Sequence, residues 1–65
     1  MSVASIVLQD NTVVTLVETA DKEEFGFRIA FNGTVACRYD TFEHAWDDLG
    51  KVMRCRNLRE AIAFV

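Results

Sequence analysis

The side chains that could carry out chemistry in this chain are a single histidine, two cysteines and a few neighbouring acids. His44 and Asp48 stand four residues apart on a predicted helix, where they could share a metal ion or a proton. A metal site needs three or four ligands, and neither cysteine is near this pair in the sequence. The simpler interpretation is that both side chains face solvent, because the apolar stripe of the helix lies on its other side. We therefore predict no metal site and no cofactor.

Nucleophilic catalysis needs a nucleophile, a base and an orienting group in contact. Cys37 with His44 is the pair that could be drawn for this role. However, Cys37 alternates with apolar neighbours on a predicted core face, which favours an inert buried thiol. The adjacent acids Asp47 and Asp48 do not face one another on a helix, and the three glycines are too scattered for a phosphate-binding loop. We predict that the protein is not an enzyme.

Basic residues near the C-terminus could bind the phosphates of a nucleic acid. They are Lys51, Arg54, Arg56 and Arg59. No aromatic residue is interleaved with these charges, as base stacking would require. The chain as a whole is acidic, with a net charge of −3 and a pI of about 4.9. Nucleic-acid binding is therefore the alternative function, and contacts with acids of a neighbouring subunit are the simpler use of these charges.

The elements that must position these groups are two hairpins followed by a helix. Runs with apolar residues at alternate positions predict strands at residues 3–9, 12–19, 25–30 and 34–39. Asp10 and Asn11 suit a two-residue turn, because both side chains tolerate a positive φ. Asn32 and Gly33 form the strongest turn signal of the chain.

The second hairpin allows two registers. A two-residue loop of Asn32 and Gly33 pairs Phe31 with Thr34 and puts Arg38 on the apolar face of the third strand. A three-residue loop that includes Phe31 places six apolar residues on one face, namely Phe25, Phe27, Ile29, Val35, Cys37 and Tyr39. We predict the three-residue loop, because it buries more apolar surface. It leaves Phe31 at the loop tip, where a large apolar group needs a partner, whereas in the other register Phe31 could simply be core.

Both faces of the first hairpin are apolar if Asp10 and Asn11 form its loop. A strand that is apolar on both sides is covered on both sides, and one helix covers one face. An exposed apolar patch usually marks an interface. The predicted protein-binding residues are Phe31, Val7, Val14 and Leu16.

A change of apolar spacing from two to 3.6 after Tyr39 predicts the helix. Its stripe consists of Phe42, Ala45, Trp46, Leu49, Val52 and Met53. Asp40 or Thr41 can cap this helix, and Asp40 with Glu43 has the spacing of a capping box. Asn57 with Glu60 is a second capping signal. We predict residues 58–65 as a short second helix in preference to a final strand, because their apolar spacing is three and four.

The predicted fold class is α+β: a four-stranded antiparallel sheet of two hairpins, then a C-terminal amphipathic helix with or without a second short one. Residues 1–65 are predicted to form a single domain. Hydrophobic residues make up 51% of the chain, which is more than one small sheet and one helix can bury. We therefore expect self-association, as a homodimer through the sheet.

The expected compartment is the cytoplasm. No signal peptide is visible, no run approaches the roughly 20 apolar residues of a membrane span, and two cysteines do not make a disulfide framework. We expect a small non-enzymatic protein-binding module with no membrane partner. It would act by protein contact, as do small regulators or inhibitors that bacteria and phages encode.

Overall fold

The computed structural model describes residues 2–19 and 26–65, which form one antiparallel sheet followed by two helices. The strands are β1 (Ser2–Val7), β2 (Val13–Thr19), β3 (Gly26–Phe31) and β4 (Thr34–Tyr39), and the helices are α1 (Phe42–Val52) and α2 (Leu58–Phe64). Each strand pairs with the next along the chain, in the order β1-β2-β3-β4. The predicted α+β fold is confirmed, and the second helix is present. Phe25, predicted to pair with Tyr39, lies outside the described residues.

The first hairpin has a three-residue loop, so the prediction of a two-residue loop is wrong. The N–H of Leu8 donates to the carbonyl of Thr12 over 2.9 Å, and Asn11 between them has a φ of 70°. A left-handed residue at the end of such a loop is the usual solution for three-residue hairpins. Val7 therefore pairs with Val13 and not with Val14. As a result, apolar residues of β1 and β2 that were predicted on opposite faces share the core face.

The second hairpin has the two-residue loop, so the predicted three-residue loop is also wrong. Asn32 and Gly33 have φ values of 51° and 87°, as a type I′ turn requires, and Phe31 pairs with Thr34. A bulge then shifts the register, because Ala30 pairs with Val35 but Ile29 pairs with Cys37. The extra residue, Ala36, returns the rest of β4 to the core face. Sequence reasoning considered a bulge only at Gly33 in the loop, and not within β4.

Asn32 also joins the two hairpins. Its N–H donates to the carbonyl of Val13 over 2.8 Å, and its side-chain oxygen accepts from the N–H of Val13 over 2.9 Å. Both polar backbone groups of Val13 are therefore satisfied by one turn residue. This brings the β3–β4 turn against β2 and places Phe31 opposite Val14, inside the core.

Both helices begin at predicted capping residues, but Thr41 and not Asp40 caps α1, so Glu43 is not at the position of the predicted capping box. Thr41 is the N-cap of α1, and its hydroxyl oxygen accepts from the N–H of His44 over 3.3 Å. Asn57 is the N-cap of α2, where its side-chain oxygen accepts from the N–H of Glu60 over 2.9 Å. Such caps satisfy N–H groups that have no partner within the helix. The cap at Asn57 explains why residues 58–64 form a helix and not a final strand.

The core lies between one face of the sheet and the helices. Helix α1 packs against β2, β3 and β4. The buried apolar residues of this cluster are Leu8, Val14, Leu16, Ile29, Phe31, Ala45, Leu49, Val52 and Ala61. The opposite face of the sheet, which we call the open sheet face, has no helix packed on it among the described residues. Val7, Val13 and Val35 lie on that face and are 64%, 40% and 48% exposed.

Candidate protein-binding surface

His44 and Asp48 do not form the pair that their spacing allows. The hydroxyl of Tyr39 donates to the Oδ2 atom of Asp48 over 2.6 Å, which ties β4 to α1. Burial first, and then the bond to Asp48, raise the pKa of the Tyr39 phenol well above its usual value. His44 is exposed, with its ring centroid 6.5 Å from that of Tyr39. The acid that could have served His44 is therefore engaged in holding the helix on the sheet.

The two cysteines are unpaired and lie on different elements. Cys37 is half-buried on β4, and Cys55 is half-buried after the end of α1. The Sγ atom of Cys55 is 3.9 Å from the carbonyl oxygen of Lys51, a weak contact of the kind that a thiol makes near a helix end. Neither thiol is hydrogen-bonded to His44, so the described contacts contain no cysteine–histidine pair.

The predicted protein-binding residues do not form one surface. Phe31 is only 5% exposed, and Val14 and Leu16 are fully buried. The prediction that Phe31 is exposed at a loop tip is therefore wrong, because the two-residue turn moves it into the strand and onto the core face. Val7 remains exposed, but it lies on the open sheet face, opposite to the other three.

The exposed apolar surface lies instead on α1. The helical stripe is wider than the line along which the helix touches the sheet. Its inner half, Ala45, Leu49 and Val52, is buried. Its outer half, Phe42, Trp46 and Met53, is 38%, 52% and 60% exposed, and we call these three residues the α1 ridge. Large apolar side chains that remain exposed in a contiguous row are typical of a binding surface.

Aromatic contacts hold the ridge in one arrangement. The rings of Phe42 and Trp46 stack, with centroids 5.5 Å apart and an angle of 24° between their planes. Phe27 on β3 meets Phe42 edge to face, also at 5.5 Å. Such pairs contribute about 0.5–1.5 kcal/mol beyond the area that they bury. The indole of Trp46 is therefore exposed but oriented, which lowers the entropy lost when a partner covers it.

A shallow groove runs between the ridge and the edge strand β1. Its volume is about 140 Å³, and its lining residues are Ala4, Ile6, Trp46, Leu49, Gly50 and Met53. Gly50 leaves a notch in α1 between Trp46 and Met53, since a Cβ atom built there would meet nothing within 4 Å. The groove is apolar along its length and open to a side chain from outside.

Charged residues follow the ridge on its solvent side. Glu43, Asp47 and Gly50 form a second row on α1, four and three residues apart, and Arg54 follows in the turn directly after the helix. The row begins with acidic residues, and the residue that follows it is basic. Asp47 contacts Lys51 within the same helix, with 3.5 Å between Oδ2 and Nζ. Exposed pairs of this type stabilise a helix only by about 0.3–0.5 kcal/mol.

The predicted nucleic-acid-binding residues are brought together only in part. Lys51 and Arg54 line a pocket of about 500 Å³ with Cys55, Glu60 and Phe64, and the Nζ atom of Lys51 is 6.0 Å from the centroid of the Phe64 ring. Arg56 and Arg59 do not line this pocket. They flank Asn57, the N-cap of α2. The four cations therefore do not form a single basic stripe.

A docking contact between α2 and the first hairpin was not foreseen. The Oδ2 atom of Asp10 accepts from the N–H of Leu58, 48 residues away, over 3.0 Å. The Thr12 hydroxyl first, and then the N–H groups of Leu58 and Thr12, hold the pKa of the Asp10 carboxyl below its usual value. The spacing of Asp10 and Asn11 predicted only a turn, and no local signal could have indicated a bond so distant in sequence.

One signal could have revealed the α1 ridge in advance. The stripe contains two rows, one at 42, 46, 49 and 53 and one at 45, 49 and 52, and a single contact line cannot bury both. The first row contains the larger side chains, and a sheet of this size has the least room to bury them.

Within residues 2–19 and 26–65, no group of three histidine, cysteine, aspartate or glutamate side chains is placed to hold a metal ion, and no helix is long and apolar enough to cross a membrane. Comparison of this chain with protein-family models, with curated proteins and with solved structures finds no match.

Proposed function

We propose that this protein is a non-enzymatic protein-binding module that self-associates, and that the α1 ridge is the surface it uses. The observation that carries this proposal is the ridge itself, with Phe42 and Trp46 on α1 and Met53 at its C-cap all more than a third exposed. In this role the protein would regulate or inhibit by contact. The unpaired cysteines, on separate elements, suit a reducing compartment such as the cytoplasm.

The energy available at the ridge is sufficient for association. A tryptophan side chain exposes up to about 250 Å² when fully accessible, and Trp46 retains about half of its exposure. Covering that half would contribute about 3 kcal/mol at ~25 cal/mol per Å². Tryptophan is also the residue type most often found to dominate measured interfaces. With Phe42 and Met53 beside it, the ridge resembles the apolar centre of an interface with charged residues at its rim.

The open sheet face, where we predicted the dimer contact, is the competing surface. Its exposed residues are smaller, and Arg28 lies directly opposite Arg38 in the register of β3 and β4. The ridge presents larger apolar groups without a charge between them, and this difference favours it.

Sedimentation velocity from low micromolar to millimolar protein tests the proposal. Trp46 is the only tryptophan of the chain, so its emission should shift to shorter wavelength as association covers it. Met53→Glu should weaken association at least tenfold, because a charge would enter an apolar contact. Val7→Glu is the matched control: the side chain is 64% exposed on the open sheet face, so the variant should associate normally.

Each result decides between surfaces. A wild-type chain that remains monomeric at every concentration would refute self-association. A dimer that is lost in Val7→Glu and retained in Met53→Glu would place the contact on the sheet and refute the role of the ridge. Circular dichroism of each variant at the same temperature confirms that the fold is intact.

The nucleic-acid alternative has less support. Lys51 is paired with Asp47, and Arg56 and Arg59 are separated from the pocket that contains Arg54. At most two cations would contact the phosphates of a nucleic acid bound at this pocket, so we expect weak binding.

A further inference from the structure

We infer that the occupant of the α1 ridge is α1 of a second copy, packed antiparallel around a two-fold axis near the middle of the helix. This inference rests on the proposed self-association and adds the contact geometry. It follows from the order of apolar residues, of charges and of the notch along α1 and the turn directly after it, residues 42–54.

The apolar row has the spacing of a helix–helix contact. Phe42, Trp46, Leu49 and Met53 are separated by four, three and four residues, which is the alternation found along the seam of two packed helices. Leu49 in this row is already buried in the core of its own chain, so Phe42, Trp46 and Met53 are the members that remain exposed to a partner. Pairing two such helices covers the same residues on both copies, as a two-fold interface requires.

The charged row decides the direction. Glu43 and Asp47 come first and Arg54 comes last. In a parallel pair Glu43 would face Glu43 of the second copy, and Arg54 would face Arg54. In an antiparallel pair Glu43 faces Arg54 of the second copy, and the symmetry of the pair repeats this contact. Antiparallel helices also place the positive end of one helix dipole beside the negative end of the other.

The notch at Gly50 fits the same arrangement. Trp46 lies one turn before Gly50 on the helix, so an antiparallel neighbour centred between them places its own Trp46 over Gly50. Space is available there, because Gly50 has no side chain and nothing lies within 4 Å of the Cβ position. The indole would then cover the groove that Ala4 and Ile6 line. Each copy therefore supplies one large side chain and one recess.

Charge exchange between two single variants tests the pairing. Glu43→Arg alone brings two arginines together at each end of the pair, and Arg54→Glu alone brings two glutamates together. Each variant should therefore dimerise at least tenfold more weakly than the wild type. An equimolar mixture should recover association to within about threefold of the wild-type constant, because each contact then joins opposite charges. Arg59→Glu makes the same charge change on α2 and should have no effect.

The outcomes separate this inference from the proposal on which it rests. Failure of the wild type to associate would refute the proposed function. A wild-type dimer that neither Glu43→Arg nor Arg54→Glu weakens would leave self-association standing and refute the antiparallel pairing. Weakening by both variants without recovery in the mixture would also refute it, since the two charges would then not meet. Thermal melts by circular dichroism show whether each variant remains folded.

Discussion

Replacement of Phe31 by alanine should remove most of the stability of this domain. Phe31 is 5% exposed and belongs to the core cluster with Val14, Leu16 and Ile29. Its side chain buries about 200 Å², which corresponds to about 5 kcal/mol at ~25 cal/mol per Å². Measured phenylalanine-to-alanine changes in cores cost about 3–5 kcal/mol. A domain of this length is stable by only about 3–10 kcal/mol, so the variant should be mostly unfolded or close to it.

Urea denaturation followed by far-ultraviolet circular dichroism measures the loss. Phe64→Ala is the matched control, because the same atoms are deleted from a side chain that is 51% exposed. We expect that control to lower the free energy of unfolding by no more than about half as much, because only about half of its side chain is covered. Phe31→Leu keeps most of the volume and should lose less than about 1.5 kcal/mol, so it provides a folded variant for the comparison.

The same experiment distinguishes the two registers of the second hairpin. If Phe31 were at an exposed loop tip, its removal would cost no more than that of Phe64. Equal midpoints for Phe31→Ala and Phe64→Ala would therefore refute the two-residue turn and the bulge that follows it. Both samples should be measured at low micromolar concentration, so that association does not contribute.

Three other perturbations test the contacts that hold the elements together. Gly26→Ala should lower the free energy of unfolding by several kcal/mol, because φ is +152° and the new Cβ atom would lie 2.7 Å from the carbonyl oxygen of Tyr39. Gly33→Ala is the control: φ is +87° but the space is open, so the loss should be only about 1–2 kcal/mol. Equal melting temperatures for the two variants would contradict this expectation. Tyr39→Phe removes the bond to Asp48 and should lower the free energy of unfolding by about 1–2 kcal/mol in urea. Since the folded pKa of Tyr39 is raised above its unfolded value near 10, the contribution of this residue to stability should be constant below that pH and fall above it. Absorbance of this single tyrosine at alkaline pH should therefore show ionisation only together with unfolding. Ionisation near pH 10 in the folded protein would refute the bond between Tyr39 and Asp48. Asp10→Ala should release the N–H of Leu58 and speed its hydrogen exchange, while exchange of the Ala45 amide of α1 should not change. Because the folded pKa of Asp10 is lowered from 3.8, the same release in the wild type should begin only as pH falls below about 4. Protection of the Leu58 amide that persists in the variant would contradict the docking role of Asp10.

Local sequence signals were sufficient for the elements and their order. Alternation of apolar residues identified four strands, and the change of spacing after Tyr39 identified α1. Thr41 and Asn57 marked the starts of the two helices, since a side-chain acceptor at these positions satisfies N–H groups that every helix leaves unpaired. These signals depend on a few neighbouring residues, so the sequence alone contains them.

Register and exposure were decided only by the tertiary structure. Loops of two and three residues differ little in local energy, so the choice at Asn11 and at Gly33 depends on which side chains the whole core buries. The position of the bulge at Ala36 also depends on the tertiary structure. The bulge shifts the register of β4 so that the rest of the strand faces a core to which other elements contribute. The outer half of the α1 stripe remains exposed for a related reason. A helix touches a sheet along one line, and only the position of that line on the finished sheet determines that Leu49 is inside and Trp46 outside.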